Sequence, residues 1–231
     1  MWLNNNKINE AEIRTYRASL LRATPNYIVI DNLFNEEKLN EVLILLQQKH
    51  RWQTQKHTYS ALYVNNEQWQ TTGIEERFVQ REIWQREINE SDCANTNTAQ
   101  DLLDFLRHKE FMTVLSRIFN VTITDINVAT PGINTNFFRL GAKDFVKQHA
   151  DDSPGREICM LLYLNKDWDV NSGGELIFIG KDDKQVSIAP LYNRCVLFDP
   201  SSIGSEHWVK MLNPQESIGY RYNVVSWYWS E

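Results

Sequence analysis

The chain has 231 residues, 42% of them hydrophobic and 23% charged, the balance of an ordinary globular protein with enough apolar material for a self-supporting core rather than of a disordered or membrane-embedded one. A formal charge of −6 without a Lys/Arg run argues against a nucleic-acid partner, whose footprint is a clustered basic surface. No stretch has the length and apolarity of a signal peptide or membrane span, and Cys93, Cys159 and Cys195 are widely spaced, so a membrane partner is excluded and a reducing, cytoplasmic location is expected.

In chain order, Tyr27-Ile28-Val29-Ile30 reads as a strand and Asp31-Asn32 as a turn. Asn35 then offers a cap, with Glu36 and Glu37 in the opening turn and Leu39, Val42, Leu43 and Leu46 at helical spacing, which predicts an amphipathic helix to about Lys49. Glu76 to Arg86 is a charged strand or helix face. The Asn-rich stretch from Asn89 to about Gln100 reads as a loop suited to a lid. From Thr98 to Phe119, Leu102, Leu103, Leu106, Leu115 and Ile118 fit one helix, with Asn120 as its stop. Beyond Asn120 the pattern changes to short β-rich runs: 136–140, 158–164, 175–179, 185–188, 195–198 and 222–229. Strands of this length, with turn residues and no helix between them, predict an antiparallel sandwich or barrel. The chain is therefore expected to be α+β and a single domain over 1–231, with a helix-rich half at 1–120 packing on a β-body at 121–231.

His149-Ala150-Asp151 carries the chemistry. On a strand, residues i and i+2 point the same way, so His149 and Asp151 can converge while Ala150 faces away. The tripeptide alone is weak. A second histidine, His207, lies beyond several predicted strands, and two imidazoles with one carboxylate leave metal positions open, the arrangement of non-haem Fe(II) oxygen activation; a three-ligand zinc hydrolase is the alternative from the ligands alone. Further on, Arg221 has the planar fork that binds a carboxylate bidentately, which suits the far end of a dicarboxylic cosubstrate. His50, His57 and His108 have no partner at ligand spacing and read as surface or packing residues.

Taken in order, Phe138-Arg139-Leu140-Gly141, His149-Ala150-Asp151, Leu161 to Asn165, Gly173-Gly174-Glu175-Leu176, Pro190, Val196-Leu197-Phe198-Asp199, His207 and Arg221 resemble the Fe(II)/2-oxoglutarate-dependent oxygenases of the prolyl-4-hydroxylase-like group. The resemblance covers about residues 134 to 229. It implies a double-stranded β-helix (a cupin-like jelly roll), with Fe(II) on His149, Asp151 and His207, and 2-oxoglutarate and O2 as cosubstrates. Arg221 would pair with 2-oxoglutarate. Leu140 stands where many relatives carry a Tyr that assists the 2-oxoglutarate carboxylates, so that contact must come from another residue. Asp151 fills the position that related halogenases leave to chloride, which implies hydroxylation.

Within the superfamily the chain is most similar to small hydroxylases of free amino acids related to the lysine halogenases, which implies a small-molecule partner, L-lysine or another basic amino acid. Asp152 would hold an ammonium group, Arg77, Arg81 and Arg86 are candidates for a carboxylate clamp, and Asn223 and Trp227 share the strand parity of Arg221. Trp229 shares it too. A peptidyl, prolyl-type hydroxylase needing an open groove and a non-catalytic jelly-roll binding module are the alternatives. A homodimer is compatible with these residues.

Overall fold

The computed structural model describes residues 1–86, 97–216 and 219–230. The Asn-rich stretch at 89–96, with Cys93, lies outside them. Helices come first: α1 (Glu10–Arg22), α2 (Glu36–Leu46), the short α3 (Asn66–Thr71), α4 (Thr98–Leu106) and α5 (Lys109–Phe119). Asn9, Asn35, Asn65 and Asn97 cap four of them, each side chain accepting a backbone N–H of the first turn. The single helix expected over 98–119 is two, because Arg107 ends α4 and the His108 side chain caps α5, accepting from the Glu110 N–H. Asn120 stops α5 in the left-handed region, as its position suggested.

The strands are β1 (Tyr27–Asp31), β2 (Trp52–Thr58), β3 (Arg77–Trp84), β4 (Thr135–Leu140), β5 (Phe145–His149), β6 (Arg156–Tyr163), β7 (Leu176–Phe178), β8 (Val186–Ile188), β9 (Arg194–Phe198), β10 (His207–Val209) and β11 (Arg221–Trp229). They form one antiparallel curled sheet in the order β1-β9-β6-β11-β4-β3-β5-β10-β7-β8, with β2 on β3. This is the double-stranded β-helix. The helix-rich half contributes β1, β2 and β3 to it, so 77–86 is chiefly a strand.

Strand parity explains why β6, β9 and β11 read as nearly unbroken apolar runs: both their faces are buried. Ile158, Met160, Leu162, Cys195, Leu197, Tyr222, Val224 and Tyr228 pack with Leu102, Leu106, Phe111 and Leu115 of the helices. Cys159, Leu161, Tyr163, Val196, Phe198 and Val225 face the other way, into an inner cluster with Phe138, Leu176 and Phe178. The helices thus brace the sheet from outside and leave its concave face free to carry a site. Among the described residues, no helix is long and apolar enough to cross a membrane.

Candidate metal centre and cleft

β5 and β10 are antiparallel neighbours with His149 directly opposite His207. A cross-strand pair sets two side chains side by side, and here the ring centroids are 4.4 Å apart. Asp151 lies just past the end of β5, where the chain has left the sheet, so the expectation that His149 and Asp151 occupy one strand is corrected. The loop, not the pleat, turns the carboxylate back. Its Oδ1 is 3.8 Å from His149 Nε2 and its Oδ2 is 3.7 Å from His207 Nε2. Ligand atoms of the three residues all lie within 4.8 Å of one another, the metal-suited cluster of His, Cys, Asp and Glu among the described residues.

The ring orientation fits a metal. His149 Nδ1 is 2.9 Å from the Lys147 carbonyl, and His207 Nδ1 is 2.9 Å from the Ser205 carbonyl. A carbonyl only accepts, so each Nδ1 carries the proton and each Nε2 turns a lone pair toward the other ligands. His207 is buried, packed between the rings of Phe178 and Phe198, and that burial pulls its pKa down to about 4, with His149 adding to the effect. Burial raises the Asp151 pKa, but His149, His207, the Trp227 indole and Arg156 outweigh it, and the carboxyl is held below its ordinary range. Trp227 Nε1 donates to Asp151 Oδ2 at 3.0 Å, Cys159 Sγ lies 3.5 Å from the same oxygen, and Arg156 donates to the Asp151 carbonyl. The site therefore offers two imidazoles and one oriented carboxylate, a donor set that suits Fe(II) with open positions.

Arg221 opens β11, opposite Leu140, and is 1% exposed. Its Nε donates to the Gly174 carbonyl at 2.7 Å and its Nη1 to Asn223 Oδ1 at 2.8 Å. Gly174 is fixed by this packing: at φ +80° a Cβ would sit 2.8 Å from Trp168 and 3.1 Å from Arg221 Cδ. The guanidinium lies against the ring of Tyr163, 4.9 Å from its centroid, and among the described residues buried Nη2 and the buried Tyr163 hydroxyl have no partner beyond each other. Burial pushes Tyr163 up to about 12, so the hydroxyl is a proton donor at all ordinary pH. The hydroxyl can accept from the guanidinium and keep its own proton to donate, so two buried donors on one spot make a cradle for a carboxylate. Tyr163 belongs to the inner cluster whose Phe178 and Phe198 pack on His207.

A cleft of about 730 Å³ opens over His149 and Asp151, and Tyr59, Tyr63, Phe78, Arg81 and Trp227 are among its walls. Of the residues expected to meet a substrate, Arg81 and Trp227 line it. Asp152 is exposed and is not among its wall residues. Asn223 is buried and serves Arg221. Arg77 donates to the Trp69 and Thr72 carbonyls, and Arg86 to those of Gly132 and Thr135. Both belong to the scaffold. Tyr163 and His57 were not among the expected residues. His57, on β2, lines the cleft, and its Nδ1 accepts the Tyr63 N–H at 3.0 Å.

His57 and His207 carry a pH prediction. Burial lowers both to about 4 from the ordinary 6.5, so the unfolded chain takes up their protons first. Stability of the metal-free protein is then full above about pH 6.5 and falls as pH drops toward 4, by up to ~3 kcal/mol per histidine. Urea unfolding midpoints between pH 7.5 and 4.5 are expected to fall less in His57→Gln than in the parent. An equal fall would show that His57 is not held neutral.

Comparison with known proteins agrees with this geometry. Residues 135–229 match the family model described as the 2OG-Fe(II) oxygenase superfamily. A Mus musculus prolyl 3-hydroxylase is 25% identical over 130 residues, 54% of this chain and 22% of the relative, so the match spans about a fifth of that protein's length. A Pseudomonas putida prolyl-4-hydroxylase structure superposes with a TM-score of 0.63 at 12% identity, covering 95% of this chain and 99% of its own. A Trichoplax adhaerens prolyl hydroxylase, solved with a hypoxia inducible factor peptide fragment, gives 0.62 at 20% identity and covers 96% and 94% of the two chains. At these identities the structures bear on the fold.

Proposed function

On the premise that the chain is a 2OG-Fe(II) oxygenase of the prolyl-4-hydroxylase-like group, a non-haem iron dioxygenase using Fe(II), 2-oxoglutarate and O2, we propose that it hydroxylates an unactivated C–H bond of a free amino acid. His149, Asp151 and His207 would hold the metal. The observation that carries the reading is a His/Asp/His cluster in the same fold as a buried donor pair, Arg221 Nη2 and the Tyr163 hydroxyl. When bound, Fe(II) with 2-oxoglutarate and O2 supplies the oxidising chemistry that couples decarboxylation to succinate with hydroxylation of the substrate.

The protein's own contribution is orientation. Lys147 and Ser205 carbonyls hold the imidazole tautomers, and Trp227 holds the Asp151 carboxylate. Arg221 and Tyr163 would receive the distal carboxylate of 2-oxoglutarate, Tyr163 supplying the hydroxyl that Leu140 cannot. The presence of Asp151 among the ligands supports hydroxylation over halogenation. A basic amino acid loses its support, because Asp152 does not face the cleft.

A protein substrate is the second reading. The similarity to prolyl hydroxylases favours it, as do the exposed Tyr59, Leu62 and Tyr63 along the cleft rim. The test is succinate formation by the Fe(II)-loaded protein with free amino acids and with proline-containing peptides, and a product heavier by one oxygen. A response to free amino acids supports the first reading, and a response to peptides alone transfers the proposal to the second. Failure to turn over 2-oxoglutarate under any condition would overturn both.

Tyr163→Phe removes one donor to a charged oxygen, worth about 1.5–3 kcal/mol. The KM for 2-oxoglutarate is expected to rise roughly ten- to a hundred-fold with little change in kcat. An unchanged KM would place the carboxylate elsewhere.

A further inference from the structure

The cleft wall holds a cation that makes no salt bridge among the described residues. Arg81 sits on β3 opposite Gln55 of β2, and its Nε donates to Gln55 Oε1 at 2.8 Å. Its guanidinium carbon is 3.4 Å from the Phe138 ring centroid, so the plane is fixed from one side by hydrogen bonding and from another by stacking. Among the described residues neither terminal nitrogen has an acceptor, and Arg81 lines the same cleft as His149, Asp151 and Trp227. Arg107, Arg139 and Arg194 differ: each is paired with a carboxylate, of Asp125, Glu82 and Asp31 respectively.

Charges around the cleft point the same way. Its acids are Asp151, a ligand, and Glu206, which accepts from Gln148. Arg156 leans on Asp151 and over Trp227 and Trp229. His57 adds a donor, since its Nδ1 is taken by the Tyr63 N–H and a neutral ring then carries its proton on Nε2. Arg81 and His57 are near enough for the cation to depress the imidazole. Burial lowers Arg81 itself to about 10, with Asp151 opposing, which leaves a full positive charge at neutral pH. A half-buried, oriented and unpaired guanidinium is costly unless a ligand brings the anion.

We propose that Arg81, with the Nε2–H of His57, receives the substrate's carboxylate, so that the substrate is a free carboxylic acid without a second cationic group. The assignment rests on the oxygenase reading above and adds the substrate's charge to it. Arg81 is then a specificity residue at the mouth of the site, as Arg221 is for the cosubstrate in its depth.

The test compares neutral and acidic free L-amino acids with their carboxamides. In the wild-type chain an acid that stimulates succinate formation is expected to lose that effect on amidation. Arg81→Gln should raise the KM for the acid ~30-fold or more, with a smaller loss in Arg81→Lys. In Arg81→Gln the KM for 2-oxoglutarate should shift far less than the KM for the acid. Calorimetric titration of the metal-free protein reads the anchor without turnover: the acid binds, and the amide or Arg81→Gln weakens binding by a similar factor. Amides as effective as acids, no acid bound by the wild-type chain, or an Arg81→Gln defect confined to 2-oxoglutarate would each overturn the proposal. Loss of substrate-free turnover in the wild type would instead strike the oxygenase reading.

Discussion

His207→Ala is expected to bind Fe(II) so weakly that turnover is lost at any practical metal concentration, while the fold survives. On the proposed reading the imidazole is one of three ligands. Its loss should exceed the ~10–100-fold that removal of an outer partner costs a metal site. The side chain also fills space between Phe178 and Phe198, and a truncated buried side chain leaves a cavity. His207→Gln therefore accompanies it, keeping volume while replacing the ring nitrogen. Far-UV circular dichroism should match the parent in both, and anaerobic Fe(II) binding should be lost in both. Retained binding in either variant would remove His207 from the ligand set.

Arg221→Met should raise the KM for 2-oxoglutarate by about 2–5 kcal/mol in free-energy terms, roughly thirty- to several-thousand-fold, because it strips a buried carboxylate of its charged partner. Fe(II) binding should be spared, since Arg221 touches no ligand. A thermal readout separates this from structural damage. Saturating 2-oxoglutarate, at a hundred times Kd, should stabilise the Fe(II)-loaded wild type by about 2.7 kcal/mol. The same concentration should stabilise Arg221→Met by less than about 1 kcal/mol. Equal stabilisation of the two proteins would show that the cosubstrate does not meet Arg221.

The β-body was legible because β6 and β9 are apolar on both faces and are followed within two residues by Asn165 and Asp199. His149, Asp151 and His207 were legible as residue types in the right order, but the reason they meet is not the pleat of one strand. It is the His149–His207 register and a loop that returns Asp151. β2 escaped notice because Gln53-Thr54-Gln55-Lys56-His57-Thr58 is polar, and its burial comes from pairing with β3. His57 was lost with it. The break between α4 and α5 was hidden because Arg107 and His108 interrupt one amphipathic face with neither Gly nor Pro. Tyr163 read as one more aromatic in an apolar run. The departure at Leu140 was the clue, since a carboxylate that lost one hydroxyl needed another, and Tyr163 shares the inward parity of Cys159 and Leu161. The arginines divided by partner: Arg77 and Arg86 are spent on backbone carbonyls, which a linear sequence does not display.

On the proposed reading, His149, Asp151 and His207 hold Fe(II), with 2-oxoglutarate reaching back to Arg221. Anaerobic titration of Fe(II) into the protein with 2-oxoglutarate, followed by visible charge-transfer absorption, tests it most directly. The expected band saturates at a single equivalent of Fe(II), is absent in His207→Ala, and in Arg221→Met needs at least about thirty-fold more 2-oxoglutarate for half-development than in the wild type. A wild-type chain that gives no band, or a His207→Ala chain that gives the same one, would contradict it.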